Sequence, residues 1–185
     1  MINMSNMKNV KRILLATGLF FFTGIVFALD VNATSYSGVI NNGTVLINGG
    51  IGFGSSVTGL PMKMPPLLVS AEYALPLFTL PWTLGGVIGM SMEEAANISS
   101  SIYSIGARIA YHISIGVPQL DTYIATNIGG TVCTNSYTNN IEGKFLFAFY
   151  LGGRYFFKSA FPLGVFLEVG GGTHTHINFG ATLRL

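Results

Sequence analysis

The sequence predicts an all-β protein: an eight-stranded antiparallel up-and-down transmembrane β-barrel preceded by a cleaved signal peptide. Three observations lead there. Proline-bearing turns recur, within residues 73–82, 111–118 and 154–162, and each leads on to a glycine pair or triplet at Gly85-Gly86, Gly129-Gly130 or Gly170-Gly171-Gly172. The 185 residues are 50% hydrophobic and only 9% charged, against the roughly 25% charged typical of a soluble domain. Beyond Phe27 no apolar run approaches the ~18 residues of a spanning helix, and a closed barrel is the other structure that satisfies every backbone group in hydrocarbon.

The N-terminus reads as an export signal. Lys8, Lys11 and Arg12 form a basic region, residues 13–27 an apolar core, and Val26-Phe27-Ala28 a small-residue ending of the kind signal peptidase cuts. The apolar core is shorter than the ~20 residues of a membrane-spanning anchor, so cleavage after Ala28 is expected. Residues 1–28 are then signal peptide and 29–185 the barrel. The mature part holds six Lys and Arg against seven Asp and Glu, a net charge of −1. That balance offers nothing to a nucleic-acid partner. Cys133 is the single cysteine, so no internal disulfide forms.

Eight segments of strand length follow in order: 44–54, 67–75, 82–92, 102–113, 120–131, 144–156, 163–172 and 177–185. The first carries Gly49, Gly50, Gly52 and Gly54; a phosphate loop would need a helix directly after them, so glycines in a tightly curved strand are the better reading. In the second, Leu67, Val69, Ala71 and Tyr73 alternate with Leu68, Ser70, Glu72 and Ala74. The third opens on Trp82 and its glycine pair. The fourth sets Ile105, Ala107, Ile109 and Tyr111 against Ser104, Gly106, Arg108, Ala110 and His112. The fifth, 120–131, ends on Gly129-Gly130, and the sixth sets Phe145, Phe147, Phe149, Leu151 and Tyr155 against Ala148, Tyr150, Gly152 and Arg154. In the seventh, Leu163, Val165, Leu167 and Val169 oppose Gly164, Phe166, Glu168 and Gly170; in the eighth, Ile177, Phe179, Ala181, Leu183 and Leu185 oppose Asn178, Gly180, Thr182 and Arg184. This period of two is the signature of strands with two unlike faces.

The strand charges are Glu72, Arg108, Arg154, Glu168 and Arg184. They are too few to solvate an exterior, and turning the apolar faces to water would expose a patch far above the few hundred Å² that soluble proteins tolerate. The charges therefore belong in the lumen, Glu72 pairing with Arg108 and Arg154 with Glu168, and they plug it. The paired glycines make room for large inward side chains such as Tyr150 and Phe166. Between the strands, the proline turns are short, whereas the connections 55–66, 93–101 and 132–143 are longer and rich in Ser, Thr and Asn. Short periplasmic turns and long external loops are the rule in outer-membrane barrels, so both termini are expected in the periplasm. Tyr73, Trp82, Tyr111, Tyr123 and Tyr155, with Phe78, Phe156, Phe157 and Phe161, gather beside the short turns as an interfacial girdle.

The hairpin pattern and the ending from Asn178 to Leu185 resemble the small eight-stranded bacterial outer-membrane proteins, the group of OmpX, OmpW and the OmpA transmembrane domain. The segment at Tyr73–Leu77 also resembles hairpins of small spirochaete barrels. The resemblance implies a monomer in the bacterial outer membrane, surrounded by lipid and lipopolysaccharide or an equivalent glycolipid and inserted by the barrel-assembly machinery. It implies a structural or surface-interaction role, with a host or extracellular ligand met through the loops, and no catalytic residues or cofactor. Members usually end in Phe or Trp; this chain ends in Leu185. An OmpW-like passive channel for small hydrophobic solutes is the alternative, with Leu46, Val87, Ile124 or Tyr150 lining it. His112-Ile113-Ser114 also resembles the His-x-Ser element of the lipid A deacylase PagL, although Ile115 stands where that family has Asn. His174 and His176 share a strand face, yet two ligands make only half a structural metal site, and a solvated loop is expected there.

Overall fold

The computed structural model describes residues 39–54, 57–75, 81–95, 98–135, 141–158, 162–173 and 175–185. The signal segment 1–28, Phe78, Phe161 and His174 lie outside them. Eight strands are present: β1 Val45–Phe53, β2 Met62–Ala74, β3 Trp82–Ala95, β4 Ile98–Ile113, β5 Leu120–Asn135, β6 Ile141–Phe156, β7 Leu163–Gly172 and β8 Ile177–Arg184. Each pairs antiparallel with the next, and β1 closes the ring on β8 through a register running from Leu46↔Arg184 to Phe53↔Ile177. The architecture is a closed, all-antiparallel up-and-down barrel.

Alternation along each strand decides the two faces. On β6, Phe145, Phe147, Phe149, Leu151 and Tyr155 are exposed, while Leu146, Ala148, Tyr150 and Arg154 are buried inside. Glycine is required where the wall curves tightly. A Cβ on Gly129 would lie 2.1 Å from the Ile105 carbonyl oxygen of the neighbouring strand, and one on Gly152 would lie 2.4 Å from the ring of Tyr123. Of the two residues expected to need such room, Tyr150 and Phe166, the ring of Phe166 lies over Gly50. The glycines let the backbone of this small barrel bend and let large inward side chains cross a narrow lumen.

The strands run further than their composition suggests, and the expected loops shrink. Residues 93–95 pair with 98–100, leaving two residues, 96–97, between β3 and β4. Val132–Asn135 pair with β4 and most of that stretch also with β6, and β6 itself begins at Ile141. The stretch from Met62 to Leu67 joins β2 through two register irregularities. Serine, threonine and asparagine mark water on both faces there, not the end of the backbone ladder. Loop length therefore does not mark the opposite end as the long-looped one: the proline-bearing connections 75–81, 114–119 and 157–162 hold seven, six and six residues, against eight, two, five and four opposite. What does differ is strand length. β3 to β6 have 14 to 16 residues, against 9 in β1, 10 in β7 and 8 in β8, so one side of the barrel stands taller.

The adjacent glycines Gly129 and Gly130 should respond oppositely to one methyl group. Gly129→Ala meets backbone at 2.1 Å whereas a Cβ on Gly130 meets nothing within 4 Å. Urea unfolding in lipid vesicles should show Gly129→Ala destabilised by about 1–3 kcal/mol, as for other overpacked sites. Gly130→Ala should stay within about 0.5 kcal/mol of the parent chain.

Candidate functional site: the lumen charge network

Every strand sends a polar side chain to one connected network inside the barrel: Asn48, Ser70 and Glu72, Thr83, Arg108 and His112, Asp121 and Tyr123, Arg154, Glu168, and Asn178 and Thr182. Arg108 is one hub. Its Nε donates to Glu72 Oε1 at 3.0 Å, its Nη1 to Asn127 Oδ1 at 3.1 Å, and its Nη2 to Glu168 Oε1. Arg154 is the other. Its Nε donates to Asn48 Oδ1 at 3.1 Å, its Nη1 to Asp121 Oδ2 at 3.0 Å, and its Nη2 to the same Glu72 Oε1 that Arg108 uses. Its guanidinium also lies 3.9 Å over the Tyr123 ring, a cation–π contact.

The carboxylates are held from several sides. Thr83 Oγ1 donates to Glu72 Oε2 at 2.8 Å, and Asn48 Nδ2 donates to Glu72 Oε1 at 3.0 Å. Tyr123 donates its hydroxyl to Glu168 Oε1 at 2.8 Å, and Asn178 Nδ2 donates to Glu168 Oε2 at 3.1 Å. His112 Nδ1 sits 2.7 Å from Asp121 Oδ1, and its Nε2 sits 3.1 Å from Thr83 Oγ1. Guanidinium suits this position because its planar fork of donors reaches several oxygens at once. A charge left unpaired in so dry a place costs several kcal/mol.

Glu72, Arg108, Arg154 and Glu168 thus meet: the expected pair of Glu72 with Arg108 forms, whereas Arg154 pairs with Glu72 and Asp121 and not with Glu168. Register puts Arg154 opposite Phe166 and Glu168 opposite Gly152, and the Glu168 carboxylate is taken by Arg108 instead. Arg184 is not in the network. It sits near the barrel's end, donating from Nη1 to the Val39 carbonyl at 3.0 Å and lying 4.6 Å over the Phe156 ring. Tyr123 is no interfacial aromatic: it is 2% exposed, inside the lumen. Phe156 also points inward, and Ile124 points outward, away from any solute path. Asp121 is the charge that the sequence reading passed over. Its signal was alternation, since Asp121, Tyr123 and Ala125 share one face of β5.

Several other readings have a definite place in the structure. Tyr73 and Tyr155 are exposed, and Trp82 meets Tyr111 in a tilted contact at 4.9 Å between centroids, all at the proline-turn end. Both ring nitrogens of His112 are engaged by Thr83 and Asp121, whereas Ser114 is exposed beyond the end of β4. His176 is exposed, and among the described residues no group of three or more His, Cys, Asp and Glu side chains is placed to hold a metal.

Val39, Ile40, Leu46, Ala74 and Phe156 close the proline-turn end as an apolar cluster. Toward the other end lies a cavity of about 20 Å³ bounded by Asn48, Ser70, Arg108, Asn127, Phe166, Glu168 and Asn178, among others. That is room for about one water molecule, and the buried Asn178 Oδ1 has no protein partner.

The outer wall is the reverse of the inner. From Phe145 to Tyr155 on β6, and from Tyr103 to Tyr111 on β4, the outward positions carry no charge, and Ile105 at mid-height is 68% exposed. Ten residues of tilted strand rise about 25 Å, the height of a barrel's apolar band. The outward ion pair Lys63–Glu94, at 2.6 Å, lies beyond Met90, past the edge of that belt.

No protein-family model matches the chain, and no curated protein matches it. Among solved structures it is similar to a chain described as "De novo design of transmembrane beta-barrels", at 17% identity and a TM-score of 0.45, over 79% of this chain and 98% of that one.

Because both guanidiniums share Glu72 Oε1, Glu72→Ala should lower the unfolding free energy by about 3–5 kcal/mol, the cost of leaving buried charges without a partner. Arg184→Ala, at the rim, should cost about 1 kcal/mol or less. Urea titrations of the two variants in the same vesicles compare them directly.

Proposed function

We propose that the chain is an integral outer-membrane β-barrel with a structural or surface-interaction role, its lumen plugged by paired charges. The observation that carries this reading is the network itself. Three carboxylates and two guanidiniums, contributed by five strands, are bonded across the interior, and the cavity beside them is about the size of one water. An uncharged belt of membrane height supports lipid as the outer solvent. The start of β1 and the end of β8 lie at the same end of the barrel, as an even strand count requires. The resemblance noted above favours the periplasm for that end, with the taller β3–β6 side reaching outward and available to an extracellular partner. Lipopolysaccharide or an equivalent glycolipid surrounds that side, and the barrel-assembly machinery inserts the chain.

Planar-bilayer recording tests the plug. The parent protein should give no discrete conductance, while Glu168→Ala, which removes the partner of Arg108, Tyr123 and Asn178, should produce small, brief openings. Well-resolved steps from the parent protein would instead establish the passive channel. A hydrolytic role on lipid A makes its own demand: Ser114→Ala should abolish deacylation. We expect lipid A from cells expressing parent and variant to be identical by mass spectrometry, because His112 is committed to Asp121 and Thr83.

A further inference from the structure

At the end of the barrel away from the prolines, two strands reach for the same piece of backbone. Val57 N–H donates to Glu93 Oε1 of β3 at 2.6 Å, and the Val57 carbonyl accepts from Lys144 Nζ of β6 at 2.8 Å. Thr58 N–H donates to Glu93 Oε2 at 3.0 Å, and the Thr58 hydroxyl donates to the same oxygen. Residues 57–60 belong to no strand. In the sheet, β4 and β5 stand between β3 and β6. The segment is therefore tied, at Val57, to strands on either side of β4 and β5.

What lies at that level is unusually dry. Register aligns Ser91, Ile102 and Cys133 in one row close to the rim, and these residues are 4%, 0% and 4% exposed. Their next neighbour in the row, Glu142, is exposed. A row this near an open mouth would be wet on its inner side. Glu93 is itself 1% exposed although ionisable, and a carboxylate gripping two successive backbone N–H groups and a hydroxyl makes charge-assisted bonds stronger than neutral ones.

We infer that residues 57–60 form a strap across this mouth, latched to the Glu93 carboxylate and the Lys144 ammonium, and that release of the latch exposes the vestibule marked by Cys133. The device is separate from the charge plug. It governs who reaches the upper lumen, whereas the plug governs what passes through.

Cys133 is the only cysteine in the chain and serves as its own reporter. The experiment follows labelling by a polyethylene-glycol maleimide on the full folded protein in detergent micelles, with folding checked by heat-modifiable electrophoretic mobility. The parent protein should label at least roughly tenfold more slowly than the urea-unfolded chain, as for a site reached through local opening. Glu93→Ala should label roughly tenfold faster than the parent for the same reason. Lys144→Met is the decisive second variant. Lys144 acts electrostatically on the Cys133 thiol, and removing a nearby cation disfavours the reactive thiolate. Charge loss alone therefore slows the reaction, while an opened strap speeds it. Acceleration in Lys144→Met supports the latch, and an unchanged or slower rate overturns it, whether or not Glu93→Ala folds. Lys63→Met, which breaks the outward pair with Glu94, should label like the parent. Rapid labelling of the parent also overturns the inference.

Discussion

Glu72 accepts from both buried guanidiniums, and much of the interior is arranged so that it can. Arg108 comes to it from β4 and Arg154 from β6, while Asn48 and Thr83 supply the remaining donors from β1 and β3. Five of eight strands therefore converge on one carboxylate. Such convergence is possible only because the sheet closes at eight strands, which leaves an interior just wide enough for side chains. In a wider barrel the same residues would be solvated, and their pairing would contribute little.

The same narrowness explains the glycines. Where an inward ring leans over a nearby strand, that strand must offer no side chain: Gly152 does so beneath Tyr123 on the adjacent strand, and Gly50 beneath Phe166 two strands away. Aromatic bulk and missing side chains are two halves of one packing solution. Pairing then removes the cost of burying the charges that remain. The wall, the glycines and the ion pairs are mutually dependent, and the apolar exterior is free to meet hydrocarbon because no charge is left over to face it.

Alternation made most of the fold legible. Each strand begins or ends close to where a period of two starts or stops, and the faces assigned to β2, β4, β6, β7 and β8 are those observed. Alternation was less informative where both faces are polar, so the ends of β3 to β6 away from the proline-bearing turns read as loops although their ladders continue. Tyr123 was misplaced because aromatic rings near turns are common at membrane interfaces; the inward parity it shares with Asp121 was the better guide. Arg184 has that parity too, but it lies at the last rung, where the Val39 carbonyl and the Phe156 ring are nearer than any carboxylate.

Charge sparsity and the two-residue period determined by themselves that this chain makes a closed sheet with a greasy outside and a charged inside, since both are properties of order along the strand. Beyond the pairing of Glu72 with Arg108, which charges meet was decided only by the tertiary structure. Partners across the lumen depend on the stagger between strands that are not neighbours in sequence: Arg108 reaches Glu168 over 60 positions and Arg154 reaches Glu72 over 82. The clasp of Glu93 and Lys144 on Val57 has the same origin. It joins β3 and β6 through a segment between β1 and β2, a meeting that closure of the ring creates and that no local pattern encodes.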